Sequence, residues 1–365
     1  MGFSCGLVGL PNVGKSTLFN ALTKAGAEAA NFPFCTIEPN TGIVPVPDER
    51  LTVLTKMHKS KKTVPAAMKF IDIAGLVDGA SKGQGLGNKF LGHIRNVDAI
   101  AHVVRLFKDE NVTHVSGRIN PVHDIEVIIT ELILSDLEVV ERRIDKTTKK
   151  TKAGDKAAIK ELVLLNDFQV ALAEGIKPNI EDNPEKIKLA AELGLISVMP
   201  AFICANIDEK EIKDADEIIK NSPLFEFGTK HNMDVIPVCA KLEEEIIELD
   251  KDEAKMFMNE LSMKESGLSR IIKTGYKILN YITFLTTGVD ETRAWTITKG
   301  TAAPQAAGKI HSDMERGFIR MEVVSYNDVI SCGSETLAKE AGKMRIEGKD
   351  YIVKDGDVVH VRFSV

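Results

Sequence analysis

Gly9-Leu10-Pro11-Asn12-Val13-Gly14-Lys15-Ser16 carries the spacing G-x-x-x-x-G-K-S/T, the pattern of a loop that holds phosphate. Backbone N–H groups of such a loop, with the positive end of the helix that follows, can surround a β-phosphate. Lys15 neutralises charge on the β- and γ-phosphates, Ser16 offers its hydroxyl to Mg²⁺, and Asn12, Val13, Gly14 and Thr17 complete the cradle. Further along, Asp72-Ile73-Ala74-Gly75 closes a hydrophobic run, a position from which a carboxylate can hold a Mg²⁺-bound water and a glycine N–H can sense the γ-phosphate. Such a D-x-x-G is weak alone and strong at the end of a strand downstream of a phosphate loop. Thr36, between the two motifs, is a third candidate for the Mg²⁺ sphere. Together these residues describe phosphoryl transfer from a nucleoside triphosphate.

Such a site needs buried strands that end at the phosphates. Apolar runs rich in β-branched residues at 5–10, 68–73, 99–107, 199–207 and 233–238 read as buried parallel strands. Helical patterns between several of them give the alternation of a doubly wound α/β domain. From about 125 to 192 the strand signal stops and apolar residues fall at helical spacing, as in Ile128, Leu132, Val139 and Ile144, which predicts a helical insertion. Its middle holds Arg142, Arg143, Lys146, Lys149, Lys150, Lys152 and Lys156 against Asp145 and Asp155, with Gly154 marking a hairpin tip. That basic tip is either a solvated helix end or a docking site for RNA phosphates. After about 281 the texture turns to short strand-like pieces at 295–298, 318–324 and 358–363, with one short helix near 335–341, a small α+β domain.

The formal net charge of -6 gives no global pull toward nucleic acid or an anionic membrane, so any basic surface is local. Five scattered cysteines without C-x-x-C spacing suit reduced thiols in a cytoplasmic protein rather than zinc or a redox pair. A basic leader is missing before Leu10 and no apolar stretch approaches 20 residues, so membrane partners are not expected.

The chain resembles the Obg-like ATPase family, also called the YchF type, of translation-factor-class P-loop GTPases. The resemblance rests on the phosphate loop through Thr17, on Asn31-Phe32-Pro33-Phe34-Cys35-Thr36-Ile37-Glu38-Pro39-Asn40, and on Asp72-Ile73-Ala74-Gly75-Leu76. Near the C-terminus it rests on Arg293-Ala294-Trp295-Thr296-Ile297 and Gly300-Thr301-Ala302-Ala303-Pro304-Gln305-Ala306-Ala307-Gly308. It implies an α/β P-loop G domain with a doubly wound, mainly parallel sheet (1–125 and 197–280), an α-helical coiled-coil insertion (126–196) and a C-terminal α+β TGS domain (281–365). It also implies binding to a ribosome or ribosomal subunit, with the basic hairpin and the TGS domain as the surfaces for rRNA.

Related GTPases close the base pocket with N-K-x-D, whose aspartate takes two hydrogen bonds from guanine; the matching stretch here is Asn206-Ile207-Asp208-Glu209. The added methylene of Glu209 displaces the carboxylate, so guanine loses its paired contact and adenine is no longer penalised. ATP is therefore the expected nucleotide. A rival alignment gives the base role to Asp208, at the expense of one residue in the motif. Cys239-Ala240-Lys241 resembles the S-A-K loop beside the base, which makes Ala240 a base-site residue. Leu76 stands where many GTPases carry a water-orienting glutamine, so intrinsic turnover should be slow. Two compensations are open: K⁺ held at Asn12, and His114, whose imidazole can orient water or take its proton, or can be a surface histidine without a catalytic part. Gly79, Gly83, Gly85 and Gly87 suggest a switch segment. The reading is a slow ATP/ADP switch that docks on ribosomes. Its alternatives are a GTP-dependent ribosome-assembly factor of the Obg type and a ribosome-binding scaffold that nucleotide merely stabilises.

Overall fold

The computed structural model describes residues 3–28, 40–73, 88–108, 119–152, 154–181 and 183–364. Two six-stranded sheets organise them. The first has the order β2-β4-β1-β5-β6-β7, built from β1 (Phe3–Val8), β2 (Thr41–Pro45), β4 (Ala67–Asp72), β5 (Ala99–Arg105), β6 (Ala201–Asn206) and β7 (Val235–Val238). All its pairings are parallel except β2 with β4. Strands covered on both faces must be apolar throughout, and every residue of β1 and of β5 is buried. The runs read from sequence at these five positions are strands here, with ends that differ by up to two residues because apolar residues continue beyond the paired backbone at the strand ends.

The order reverses at β1, which lies between β4 and β5. In open α/β sheets the crevice outside the carboxyl ends of the strands at such a point is where ligands bind. The loop after β1 and the end of β4 at Asp72 both sit there, with Leu7 paired to Asp72 in register. One histidine belongs to the core itself: His102 on β5 is 2% exposed, and burial pushes its pKa down to about 4, so the ring is neutral at pH 7.

A 31-residue helix, Pro121–Thr151, leaves the first sheet and the Lys156–Ala173 helix returns beside it. The outgoing helix runs unbroken past residue 126. Its start packs on the sheet, Ile125 with Val104 and Ile203, and Ile128 and Leu132 with Val8 and Ile100. Beyond that, Ile133 and Val140 meet Leu165, Phe168 and Leu172 along the hairpin seam. The turn contains Gly154 at φ +82, and Asp155 caps the return helix by accepting from the Ala157 N–H at 2.9 Å. At the hairpin base the buried Asp136 carboxylate accepts from the Ile196 and Ser197 N–H groups at 3.0 and 2.7 Å.

The second sheet has the order β11-β10-β12-β8-β9-β3, with β8 (Tyr281–Thr286), β9 (Glu291–Thr298), β10 (Phe318–Ser325), β11 (Arg345–Glu347) and β12 (Asp357–Phe363) from the C-terminal segment. Its edge strand β3 (Lys62–Val64) comes from the N-terminal half and pairs in parallel with β9. A three-residue strand has no readable period, which is why the sequence did not disclose it. The C-terminal segment also holds more helix than the one expected near 335–341: Ala303–Ile310, Ser312–Arg316 and Tyr326–Cys332 precede Glu335–Glu340. Ala303, Ala306 and Ala307 are fully buried against Phe284, Ile297 and Met321, so small side chains let this helix lie close to the sheet. The opposite face contributes Leu285, Ala294 and Val358 to the same core as Met68, Phe202 and Val238 of the first sheet.

Beyond the apolar core, polar stitches join β3's neighbourhood to the C-terminal segment. The Ser60 hydroxyl donates to the Gly288 carbonyl at 2.6 Å and lies 2.8 Å from the hydroxyl of fully buried Thr292. Ser60→Ala should lower the unfolding free energy by about 1–2 kcal/mol, because it removes a partner from the buried Thr292 hydroxyl and from the partly buried Gly288 carbonyl. Urea denaturation checks this; a change below about 0.3 kcal/mol would mean the stitch is not stabilising.

Candidate functional site

The phosphate loop is held in its shape by backbone that only certain residues accept. Asn12 has φ 61 and Gly14 φ 89, both left-handed, and the Gly14 carbonyl accepts the first helical hydrogen bond, from the Leu18 N–H at 2.9 Å. Gly14 also has no room for a side chain, since a Cβ there would lie 2.1 Å from Nδ2 of Asn206. Gly9 is tight for a similar reason, with the Val103 carbonyl 2.5 Å from a would-be Cβ. The Lys15–Glu28 helix begins directly at the lysine, so Lys15, Ser16 and Thr17 occupy its first turn, where N–H groups point at a bound anion.

The Lys15 ammonium is ion-paired with the Asp72 carboxylate, both side chains largely covered at 14% and 13% exposure. Strand order thus brings the two halves of the sequence motif to one point, the cation expected to meet phosphate beside the carboxylate expected to meet a metal ion. Ser16 and Asp72 offer hard oxygen donors, the set that suits Mg²⁺, which keeps several waters and takes few protein ligands. Among the described residues no group of three or more His, Cys, Asp or Glu gathers as a metal site. Thr36, His114, Ala74-Gly75-Leu76 and the glycines from Gly79 to Gly87 lie outside the described residues, so the third Mg²⁺ candidate, the catalytic histidine and the switch segment have no geometry here.

Opposite the phosphate loop stands Asn206, the last residue of β6 and only 5% exposed. Its Nδ2 donates to the Val13 carbonyl at 2.9 Å, while its Oδ1 accepts from the Ala240 N–H at 3.1 Å. One carboxamide therefore ties the phosphate loop to the Ala240–Glu248 helix. Sequence reasoning placed Val13, Gly14, Asn206 and Ala240 in one site from separate motifs, and these contacts bring them together.

The two acidic residues after Asn206 are used differently. Asp208 caps the short 3₁₀ helix Glu209–Asp214: its carboxylate accepts from the Lys210 N–H at 3.1 Å, and the Glu211 side chain accepts from the Asp208 N–H at 3.1 Å. Glu209, half exposed, lies 3.4 Å from the Lys241 ammonium, whose pKa it holds above the ordinary range through that hydrogen bond and its charge. This bridge between the two loops that the sequence motifs assign to the base was not anticipated, because pairing of residues 209 and 241 is visible only in three dimensions. Cys239 stands in the place of a serine, and burial pushes its thiol pKa up. Arg105, 1% exposed at the end of β5, was also missed; its Nε donates to the Phe107 carbonyl at 3.0 Å and its guanidinium lies 4.4 Å from the Phe107 ring centre.

Known proteins similar to this chain are numerous. A family model described as 50S ribosome-binding GTPase matches residues 4–166, and the YchF GTPase C-terminal model matches residues 281–364. The chain is 53% identical over 367 residues to the "Ribosome-binding ATPase YchF" of Bacillus subtilis and 53% identical over 370 residues to that of Escherichia coli O157:H7, with all of each chain covered. The solved structure of the Schizosaccharomyces pombe YchF GTPase superposes with a TM-score of 0.87 at 36% identity, covering 99% of this chain and 98% of that one.

Asn206→Ala removes both bonds of the carboxamide and leaves the Val13 carbonyl and Ala240 N–H unpaired. Thermal and urea unfolding should report a loss of about 2–4 kcal/mol, together with nucleotide binding at least tenfold weaker; full affinity in a folded variant would show that the tie does not shape the site.

Proposed function

Because the chain belongs to the YchF family of P-loop GTPases, we propose that it is a ribosome-binding ATPase, a slow switch between ATP and ADP states that prefers ATP to GTP. The observation that carries the nucleotide preference is the pair of carboxylates after β6. Asp208, the rival reader of guanine, already spends its carboxylate on its own helix cap. Glu209 leans on Lys241, one methylene longer than the aspartate that would grip guanine's N1–H and amine. Without that paired acceptor, adenine carries no penalty in the pocket. The names of the relatives, ATPase and ribosome-binding, agree with this reading.

In the proposed mechanism the loop from Asn12 to Thr17 wraps the phosphates with N–H groups and the helix end, and Lys15 neutralises charge that grows on the β,γ-bridge as the γ-phosphoryl departs. Mg²⁺, held by Ser16 and Asp72 and completed by Thr36, would add charge neutralisation between the phosphates. Asn206, Glu209 and Ala240 frame the base. His114 is assigned to the attacking water, and Asn12 to K⁺. The exposed basic hairpin tip, above all Lys146, Lys149 and Lys150, is the surface assigned to rRNA phosphates.

Two measurements test this. The unaltered chain should bind fluorescent ATP analogues at least tenfold more tightly than GTP analogues, and Glu209→Asp should narrow or reverse that ratio; tighter GTP binding by the unaltered chain would return the protein to the GTP-dependent assembly reading. Neutralising Lys146, Lys149 and Lys150 together should weaken co-sedimentation with ribosomes and flatten its dependence on salt, and unchanged pelleting would clear the hairpin of that role.

A further inference from the structure

The Ala240–Glu248 helix faces two ways. Its first N–H is bound by Asn206 at the nucleotide site. One turn later Glu243, 1% exposed, accepts from the Gly267 N–H at 2.6 Å and the Leu268 N–H at 3.3 Å. These are the first residues of the Gly267–Ile278 helix, and burial raises the Glu243 pKa to about 7 against the lowering effect of those two N–H groups. The fit leaves no slack: a Cβ on Gly267 would lie 2.9 Å from Oε1 of Glu243 and 2.8 Å from Cγ2 of Val238.

The Gly267–Ile278 helix runs between the two sheets. Leu268, Ile271, Ile272 and Tyr276 belong to the core that also contains Phe202 and Val238 on one side and Leu285 and Ala294 on the other. At its far end the Tyr276 hydroxyl lies 2.8 Å from that of Thr283 on β8 and donates to that of Thr296 on β9 at 2.9 Å. A rigid element bonded at both ends passes displacement from one to the other, because a close-packed core shifts as a unit rather than yielding smoothly.

We propose that Glu243 is a positioning residue that fixes the base loop to the C-terminal domain, so that nucleotide occupancy and the setting of the C-terminal sheet are coupled through the Gly267–Ile278 helix. This rests on the reading of Asn206, Glu209 and Ala240 as the base site. Position between two sites is not in itself coupling, so the test measures an interaction energy. Glu243→Gln keeps the shape but turns an amide NH₂ toward one of two N–H donors. It should raise KM for ATP about tenfold while kcat changes less than twofold, a split that simple loss of folded protein does not produce. Tyr276→Phe, remote from the nucleotide, should raise KM about threefold, and the double variant should exceed the Glu243→Gln value by clearly less than that factor. If both single variants keep KM within twofold while their melting temperatures fall, the residues are structural only and the proposal is overturned. If Glu243→Gln does not fold, Tyr276→Phe decides alone, and an unchanged KM overturns it. A GTP-preferring unaltered chain would sink the base assignment instead, and the same comparison, run with GTP, would still test the coupling.

Discussion

A single buried carboxamide holds the site together. Asn206 gives its amide hydrogen to the phosphate loop at Val13 and takes one from the base loop at Ala240, so two loops from distant parts of the chain are set at fixed separation by one side chain. Both ends of the group are paired in the interior, where each unpaired end would cost about 1–3 kcal/mol. The same side chain explains why Gly14 must be glycine: besides its left-handed backbone, the position has Asn206 where a Cβ would go. Loop conformation, helix start and the placing of Lys15 beside Asp72 follow from that contact and from the β1–β4 pairing.

The nucleotide-binding and C-terminal sheets are also parts of one body. Their facing surfaces share a core through the Gly267–Ile278 helix, and β3 completes the edge of the C-terminal sheet. Arg50 adds a charged tie, bonded to Asp48 in its own segment and to Asp355 across the junction at 2.7 Å. Glu335 binds His360 on its own side, at 2.9 Å, and lies 3.2 Å from His58 of the N-terminal half. The nucleotide-binding sheet is thus joined to the C-terminal sheet by a shared core, whereas the hairpin projects on two long helices.

What the residues disclosed beforehand was whatever rests on local pattern. The phosphate loop is legible because backbone conformation and anion binding demand glycines and a lysine at fixed offsets, and the strands of the first sheet because burial on both faces makes them uniformly apolar. The hairpin was legible from its helical period, although not its start, since Pro121 and the cap at Asn120 begin the helix before the departure from the sheet. Hidden were the contacts between distant residues: Glu209 with Lys241, Glu243 with Gly267, Tyr276 with Thr283 and Thr296, and the loan of Lys62–Val64 to the other sheet. No spacing along the chain encodes these. Asp208 is instructive, since its carboxylate looked available in the sequence and proves to be a helix cap.

In the proposed function Asn206 is a fixed platform, and adenine is accepted because no carboxylate grips the base. A crystal structure with Mg²⁺ and a non-hydrolysable ATP analogue tests it most directly. Asn206 should still be bonded to Val13 and Ala240, with adenine beside Ala240 and Glu209 making no paired hydrogen bond to the ring. Release of Asn206 from Val13, or a Glu209 or Asp208 carboxylate bonded to the base edge, would contradict it.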